Sequence, residues 1–358
     1  MTRRLAGLLL AFILLIPFVY ATDNAAALVL DGETCAFTVR VMNGTTFIPL
    51  YDLGIAMGAR VRISARGFLT TVERDGHMLR VSMSSKNCTA DSGTITLTAY
   101  PFWHDGQVWM PVRPFAELFG YRLLYDDVEK TLYMTSGAKE VPEGVRIPTL
   151  MYHAVSDDIW GIEELFVKPA EFEKQLQYLT ENGYDTITYE DLPRLSDYDK
   201  PVLLTFDDGY LDNYTIVYPL LRKYNCKATF FVVAGSMKNT RCMNAEQIRE
   251  LADSGLVSIQ SHSLSHPDMS ALSESQLVTE CGQSQLLITR VTGKVPFVLC
   301  YPMGKQNTLA REVTARYYDY GILMNGGTHK TNADTAYKWT RSYVARATSL
   351  ARFKALLK

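Results

Sequence analysis

The stretch "LLTFDDGY", residues 203–210, runs an apolar segment straight into two adjacent carboxylates and a glycine. A short apolar run bounded by turn residues reads as a strand buried on both faces. Like charges side by side at its end are costly unless a positive group lies between them. The same rhythm extends outward on both sides. "IPTLMYH" and "YDTIT" read as strands before it, with "PAEFEKQLQYLTENG" as a helix that starts at Pro169 and stops at Asn182-Gly183. After it come the helix "LDNYTIVYPLLRKY", the strand "KATFFVV", the helix "NAEQIRELADSG" and the strand "LVSIQSH". The helix "ESQLVTECGQSQLLITRVTG", the strand "PFVLCYP", the helix "TLAREVTARYY", the strand "YGILM" and a closing helix "TSLARFKALL" complete the series. Repeated βα units imply a parallel sheet, open or closed, and seven or eight strands in roughly 210 residues favour a barrel, even an incomplete one.

In such a barrel the carboxyl ends of the strands face the functional site. Asp207 and Asp208 stand at one such end, His262 and His266 at a second, Tyr301 and Pro302 at a third, and His153 at a fourth. The spacing His262-x-x-x-His266 is that of two imidazoles on one face of a helical turn, a common grip on one metal ion. One carboxylate added to them leaves coordination positions open for water and substrate, the mark of a catalytic site. A bound dication would also neutralise the Asp pair. Each feature has a plainer reading: the Asp pair as a strand-to-helix turn capped by Asp208 or Asp212, the histidines as structural, His153 as a satisfied core residue.

The order "TFDDG", "HSLSHP", "YPMG" resembles the polysaccharide deacetylases of carbohydrate esterase family 4, the NodB-homology domain, over residues 147–350. The resemblance implies a distorted (β/α) barrel with about seven strands. It implies Asp207 as general base and Asp208, His262 and His266 as ligands to zinc or a similar dication. Many family members carry an arginine, which steadies the base, where this chain has Cys300; Arg341 in "KWTRSYV" is the candidate substitute. The "YPMG" segment places Tyr301 and Met303 at the substrate carbonyl, with a backbone N–H near Met303 as oxyanion donor. The usual C-terminal LxH is missing. "PTLMYHAV" resembles the permuted arrangement of secreted poly-N-acetylglucosamine deacetylases, which gives the general-acid role to His153 rather than to His329.

The N-terminal half repeats itself. "NGTTFIPLYDLGIAMG" (residues 43–58) and "DGQVWMPVRPFAELFG" (residues 105–120) each read as a tight turn, a short strand ending at proline, and a short helix stopped by glycine. The pattern resembles the copper amine oxidase N-terminal-like domain, over residues 28–136. It implies no copper, because His77 and His104 form no ligand cluster. Polar "GAKEVPEGVR" is the linker (residues 137–146), and residues 147–358 are the deacetylase domain. Arg3 and Arg4 before an apolar run describe a secretory signal over residues 1–27, cleaved after Ala21 or within Ala25–Ala27; an uncleaved anchor is the alternative. Either way the rest of the chain is expected outside the cytoplasm, where Cys35 and Cys88 are a plausible disulfide. A formal net charge of −2 and the lack of a basic stripe give no sign of nucleic-acid binding.

The expected function is hydrolysis of N-acetyl groups on a glucosamine-type polysaccharide by a secreted, envelope-associated enzyme that uses zinc. The alternatives are an O-acetyl esterase acting on xylan or wall glycan, and a non-catalytic glycan-binding protein. Tyr152, Tyr210, Tyr301 and Trp339 are candidates for stacking on sugar rings, although each taken singly reads more readily as core.

Overall fold

A computed structural model of the chain describes residues 24–64, 68–137 and 143–358. The signal segment expected over residues 1–27 thus lies mostly outside the described residues, as does the middle of the linker.

In the N-terminal domain Asn24–Leu30 pairs with Glu33–Met42 and, in parallel, with Thr131–Ser136. These strands belong to a seven-stranded sheet, beside a five-stranded antiparallel sheet that runs from Arg60–Ile63 to Gly93–Thr96. The repeat is plain. Thr45–Pro49 leads into the helix Leu50–Ala56, and Gln107–Pro111 into Val112–Leu118. The two repeat strands pair with each other, Ile48 opposite Met110. Each helix ends where the glycine takes the left-handed conformation, Gly58 at φ 71° and Gly120 at φ 70°. Cys35 and Cys88 do not form the expected disulfide: all six cysteines are free. The two sit on strands of different sheets and pack as small apolar groups against one core.

The second domain is a closed parallel barrel of seven strands. In chain order they are β1 (Thr149–Tyr152), β2 (Pro201–Phe206), β3 (Ala228–Val232), β4 (Val257–Ser261), β5 (Val298–Cys300), β6 (Tyr320–Gly326) and β7 (Trp339–Tyr343). Each pairs with the next, and β1 closes the ring by pairing with both β2 and β7. An eighth short strand, Asp185–Ile187, pairs only with the amino end of β2, so the barrel is distorted there. The helix Pro169–Glu181 packs Phe172, Leu176 and Leu179 into the core shared with β1–β3, each worth about 2 kcal/mol on burial. The predicted helix after β2 starts with a π-helical turn, Asn213–Val217, before Tyr218–Tyr224.

Candidate active site

At the carboxyl end of β2 the chain makes a sharp turn. Asp208 and Gly209 both take left-handed backbone, at φ 72° and 70°. That geometry is uncommon for a residue with a side chain and marks a position held by its surroundings. It separates the two carboxylates. Asp207 points inward and is buried, whereas Asp208 turns toward the loop after β4. Asp212 does not cap the following helix; its Oδ1 accepts the backbone N–H of Val155 at 2.8 Å.

The loop after β4 carries the histidines, and it is not the helical turn that their spacing suggested. Ser263 and His266 both have positive φ, and the imidazole centroids are 4.9 Å apart. Three contacts to Glu280 shape this loop. Its carboxylate accepts the N–H of Leu264 at 2.9 Å, that of Ser265 at 3.0 Å and the Ser265 hydroxyl at 2.6 Å. Sequence reading missed Glu280. The signal was an acid on the buried stripe of the helix Glu274–Thr292, beside Leu277, Cys281 and Ser284.

Asp208 Oδ1 lies 3.5 Å from His262 Nε2 and 3.4 Å from His266 Nε2. Ligand bonds of about 2.1 Å at tetrahedral angles put donor atoms about 3.4 Å apart, so these three groups fit one small dication. The far side of His262 is committed, with Nδ1 2.8 Å from the Cys300 carbonyl, which leaves Nε2 for the metal. Burial and the neighbouring His262 lower the pKa of His266, favouring the neutral form that ligates.

Asp207 is gripped by Arg341. Nη1 donates to Oδ1 and Nη2 to Oδ2, both at 2.7 Å. The guanidinium is fully committed: Nη1 also donates to Thr205 Oγ1 at 3.0 Å, and Nε to the Leu323 carbonyl at 2.8 Å. Cys300 Sγ lies 3.1 Å from Nη2 and 3.7 Å from Asp207 Oδ2. The arginine therefore enters from β7, and the small thiol of β5 makes room for it. Burial alone would raise the Asp207 carboxyl; the Arg341 charge and hydrogen bonds outweigh it and hold the group well below the usual range. His153 Nε2 is 3.9 Å from Asp207 Oδ2. Burial lowers the pKa of His153, and the Asp207 and Asp208 charges only partly offset this.

The other sequence candidates separate. His329 pairs with Ile147 below the amino end of β1, stacks on Trp339 and has its pKa lowered to about 4 by burial. It is remote from Asp207, at the opposite end of the barrel from His153. Trp339, Tyr152 and Tyr301 are buried, so none of them presents a face to a sugar. The Tyr301 backbone N–H is bound to the Ile322 carbonyl, so it cannot serve an oxyanion. Met303 has left-handed backbone, at φ 56°, and an exposed side chain at the mouth. Tyr210, bonded to Asp208, packs edge-on against Trp160 with ring centroids 4.7 Å apart. On the N-terminal domain, His77 pairs with Asp91 and His104 with Asp105.

Comparison with known proteins decides the family. YxkH of Bacillus subtilis (strain 168), a putative polysaccharide deacetylase, is 34% identical over 208 residues, which are 56% of this chain and 72% of that protein. The chain belongs to the polysaccharide deacetylase family. The family model itself matches residues 195–320, and that of the copper amine oxidase N-terminal domain matches residues 29–134. The poly-beta-1,6-N-acetyl-D-glucosamine N-deacetylase of Escherichia coli (strain K12) is 29% identical over 134 residues, 32% of this chain and 20% of that one. The structure of Streptococcus pyogenes deacetylase PplD in complex with acetate superposes with a TM-score of 0.56 at 27% identity, covering 60% of this chain and 99% of PplD. The barrel is that of the family, and the chain is a hydrolase of this kind.

Proposed function

We propose that the protein is a secreted, metal-dependent N-deacetylase of N-acetylglucosamine-type polysaccharides. One observation carries the reading: a carboxylate oxygen 3.4 and 3.5 Å from two imidazole nitrogens, three metal-competent donors in all, adjoins a buried, arginine-held carboxylate with an imidazole 3.9 Å away. A purely binding protein has no use for that set. Asp208, His262 and His266 would hold the ion, most plainly zinc; when bound, it supplies a Lewis acid for an acetyl oxygen and acidifies water. Asp207 receives the proton of the attacking water, and Arg341 fixes the direction of its oxygens. His153 gives a proton from Nε2 to the amine as the C–N bond breaks, which a poor leaving group requires; such acid catalysis is worth about 10²–10⁴-fold. A backbone N–H near Met303 would hold the oxyanion.

The mature chain is proposed to lie outside the cytoplasm, in association with the cell envelope. Ala25–Ala27 lie in a paired strand, so cleavage after Ala21 keeps the sheet whole where cleavage in that run would cut it. Among the described residues no helix is long and apolar enough to cross a membrane. The test is acetate release by medium and envelope fractions and by purified protein, with metal analysis. Substrates are N-acetylglucosamine oligomers, poly-N-acetylglucosamine, peptidoglycan and O-acetylated xylan. Release from an N-acetylated glycan that stops on chelation and returns with zinc supports the reading. Release from the O-acetylated polymer alone, or chelation-insensitive binding without release, overturns it.

A further inference from the structure

His153 is anchored through its main chain but not through its ring. Its carbonyl accepts Asn213 Nδ2 at 2.9 Å, whereas Nδ1 of the imidazole is buried without a hydrogen-bond partner. An imidazole that works through Nε2 needs something on Nδ1 to fix its tautomer and its plane. The ring in edge contact with it is Tyr343, with centroids 6.0 Å apart and planes at 83°. The Tyr343 hydroxyl is also buried without a partner. Two polar atoms on touching rings, each costly to bury alone, are natural complements. Asn213 Oδ1 is a third unpaired buried atom nearby, but Asn213 is committed through its nitrogen to the His153 main chain and to Asp212.

The topology gives the pairing a reason. Tyr343 lies opposite Met151 in the β1–β7 ladder, and Val344 N–H donates to the Met151 carbonyl at 2.9 Å. That puts Tyr343 beside the strand end that delivers His153. Arg341 and Tyr343 are two apart, so they leave β7 on one face.

We propose that Tyr343 is the positioning residue of His153: its hydroxyl accepts the Nδ1–H of the imidazolium, directly or through one water, and so keeps the Nε2–H that is given up turned to the leaving nitrogen. The last strand then serves both halves of the reaction, Arg341 behind the base and Tyr343 beside the acid. This rests on the acid role proposed for His153.

The test is Tyr343→Phe, which keeps the ring and its packing, measured beside His153→Ala. Two substrates are used: the N-acetylglucosamine oligomer that wild type turns over fastest, and para-nitrophenyl acetate. The amine of the first must be protonated to leave, whereas nitrophenolate leaves unaided. Loss of one neutral hydrogen bond predicts about a fivefold to tenfold fall in kcat on the oligomer, with KM and aryl acetate turnover unchanged. Full oligomer turnover in Tyr343→Phe while His153→Ala loses it overturns the inference and leaves the acid role standing. Equal loss on both substrates makes Tyr343 merely structural and overturns it as well. Full oligomer turnover in His153→Ala removes the acid role and this inference with it.

Discussion

The side chain that most shapes this site is Arg341. A buried carboxylate beside a metal site must stay charged and stay still, and one guanidinium achieves both. Its fork meets both oxygens of Asp207, and its remaining donors reach Thr205 and the Leu323 carbonyl. Lysine would keep the charge but not the fork. We expect Arg341→Lys to lower kcat about 10- to 100-fold, since small misplacement of a reacting group is that costly, and to destabilise the fold by about 2 kcal/mol through the half-paired carboxylate. Steady-state kinetics and denaturant midpoints read both, and a lysine variant with wild-type turnover would show that the fork is not needed. At this scale the sequence was informative. Asp207, Asp208, His262 and His266 stood out because such residues gather at strand ends only for chemistry. Arg341 stood out as the one charge in the strand "WTRSY" (residues 339–343). For Tyr301 the sequence fits both a sugar platform and a core residue, because an aromatic beside a site looks the same in either role; the barrel shows that it points into the core.

At the scale of the element, the instructive case is the loop that delivers His262 and His266. Their spacing suits a helix, yet this segment turns through two left-handed residues that are not glycine. Residue type does not announce such a backbone, because what stabilises it is distant in sequence: the carboxylate of Glu280, from a helix on the other side of the loop. Three hydrogen bonds to one ionised group are strong enough to fix a strained turn. Glu280→Ala should therefore loosen His266 without touching a ligand. Outer partners of metal ligands are typically worth about 10–100-fold in affinity, and that is the loss expected here. Competition with a chromophoric chelator measures it, alongside circular dichroism to confirm that the barrel is intact. Unchanged affinity would mean that the loop holds its shape without Glu280. The strands and most helices, by contrast, were legible from apolar period and punctuation, because local propensity and burial agree there.

At the scale of the molecule, the repeat domain was visible in the sequence but its docking was not. It seats on the amino end of the barrel, opposite the site. Arg290 donates to both oxygens of Asp126, at 2.6 and 2.9 Å, and Arg122 to Asp319 at 2.7 Å. Val295 N–H donates to Thr135 Oγ1 at 2.8 Å, and a Cβ on Gly293 would come within 2.7 Å of Gly32 Cα. No periodicity links residues so far apart in the chain. The domain therefore braces the foot of the barrel. Arg290→Ala tests this. It leaves a buried carboxylate with only the backbone N–H groups of Val128 and Glu129, at a cost of about 1–2 kcal/mol. The melting temperature at neutral pH should fall by a few degrees, while kcat on a soluble oligosaccharide stays at the wild-type value because the site lies at the other end of the strands. The pH dependence has a definite sign. The Arg290 hydrogen bonds hold the Asp126 carboxyl below its ordinary range. The stabilisation is therefore fully present above the unfolded carboxyl value near 4 and is lost as the pH falls through the folded one. The gap in stability between wild type and Arg290→Ala should hold from neutral pH down to about 4 and close below it. A gap that widens in acid, or a loss of turnover at neutral pH with an unchanged melting temperature, would mean that the contact acts on the site rather than on the brace.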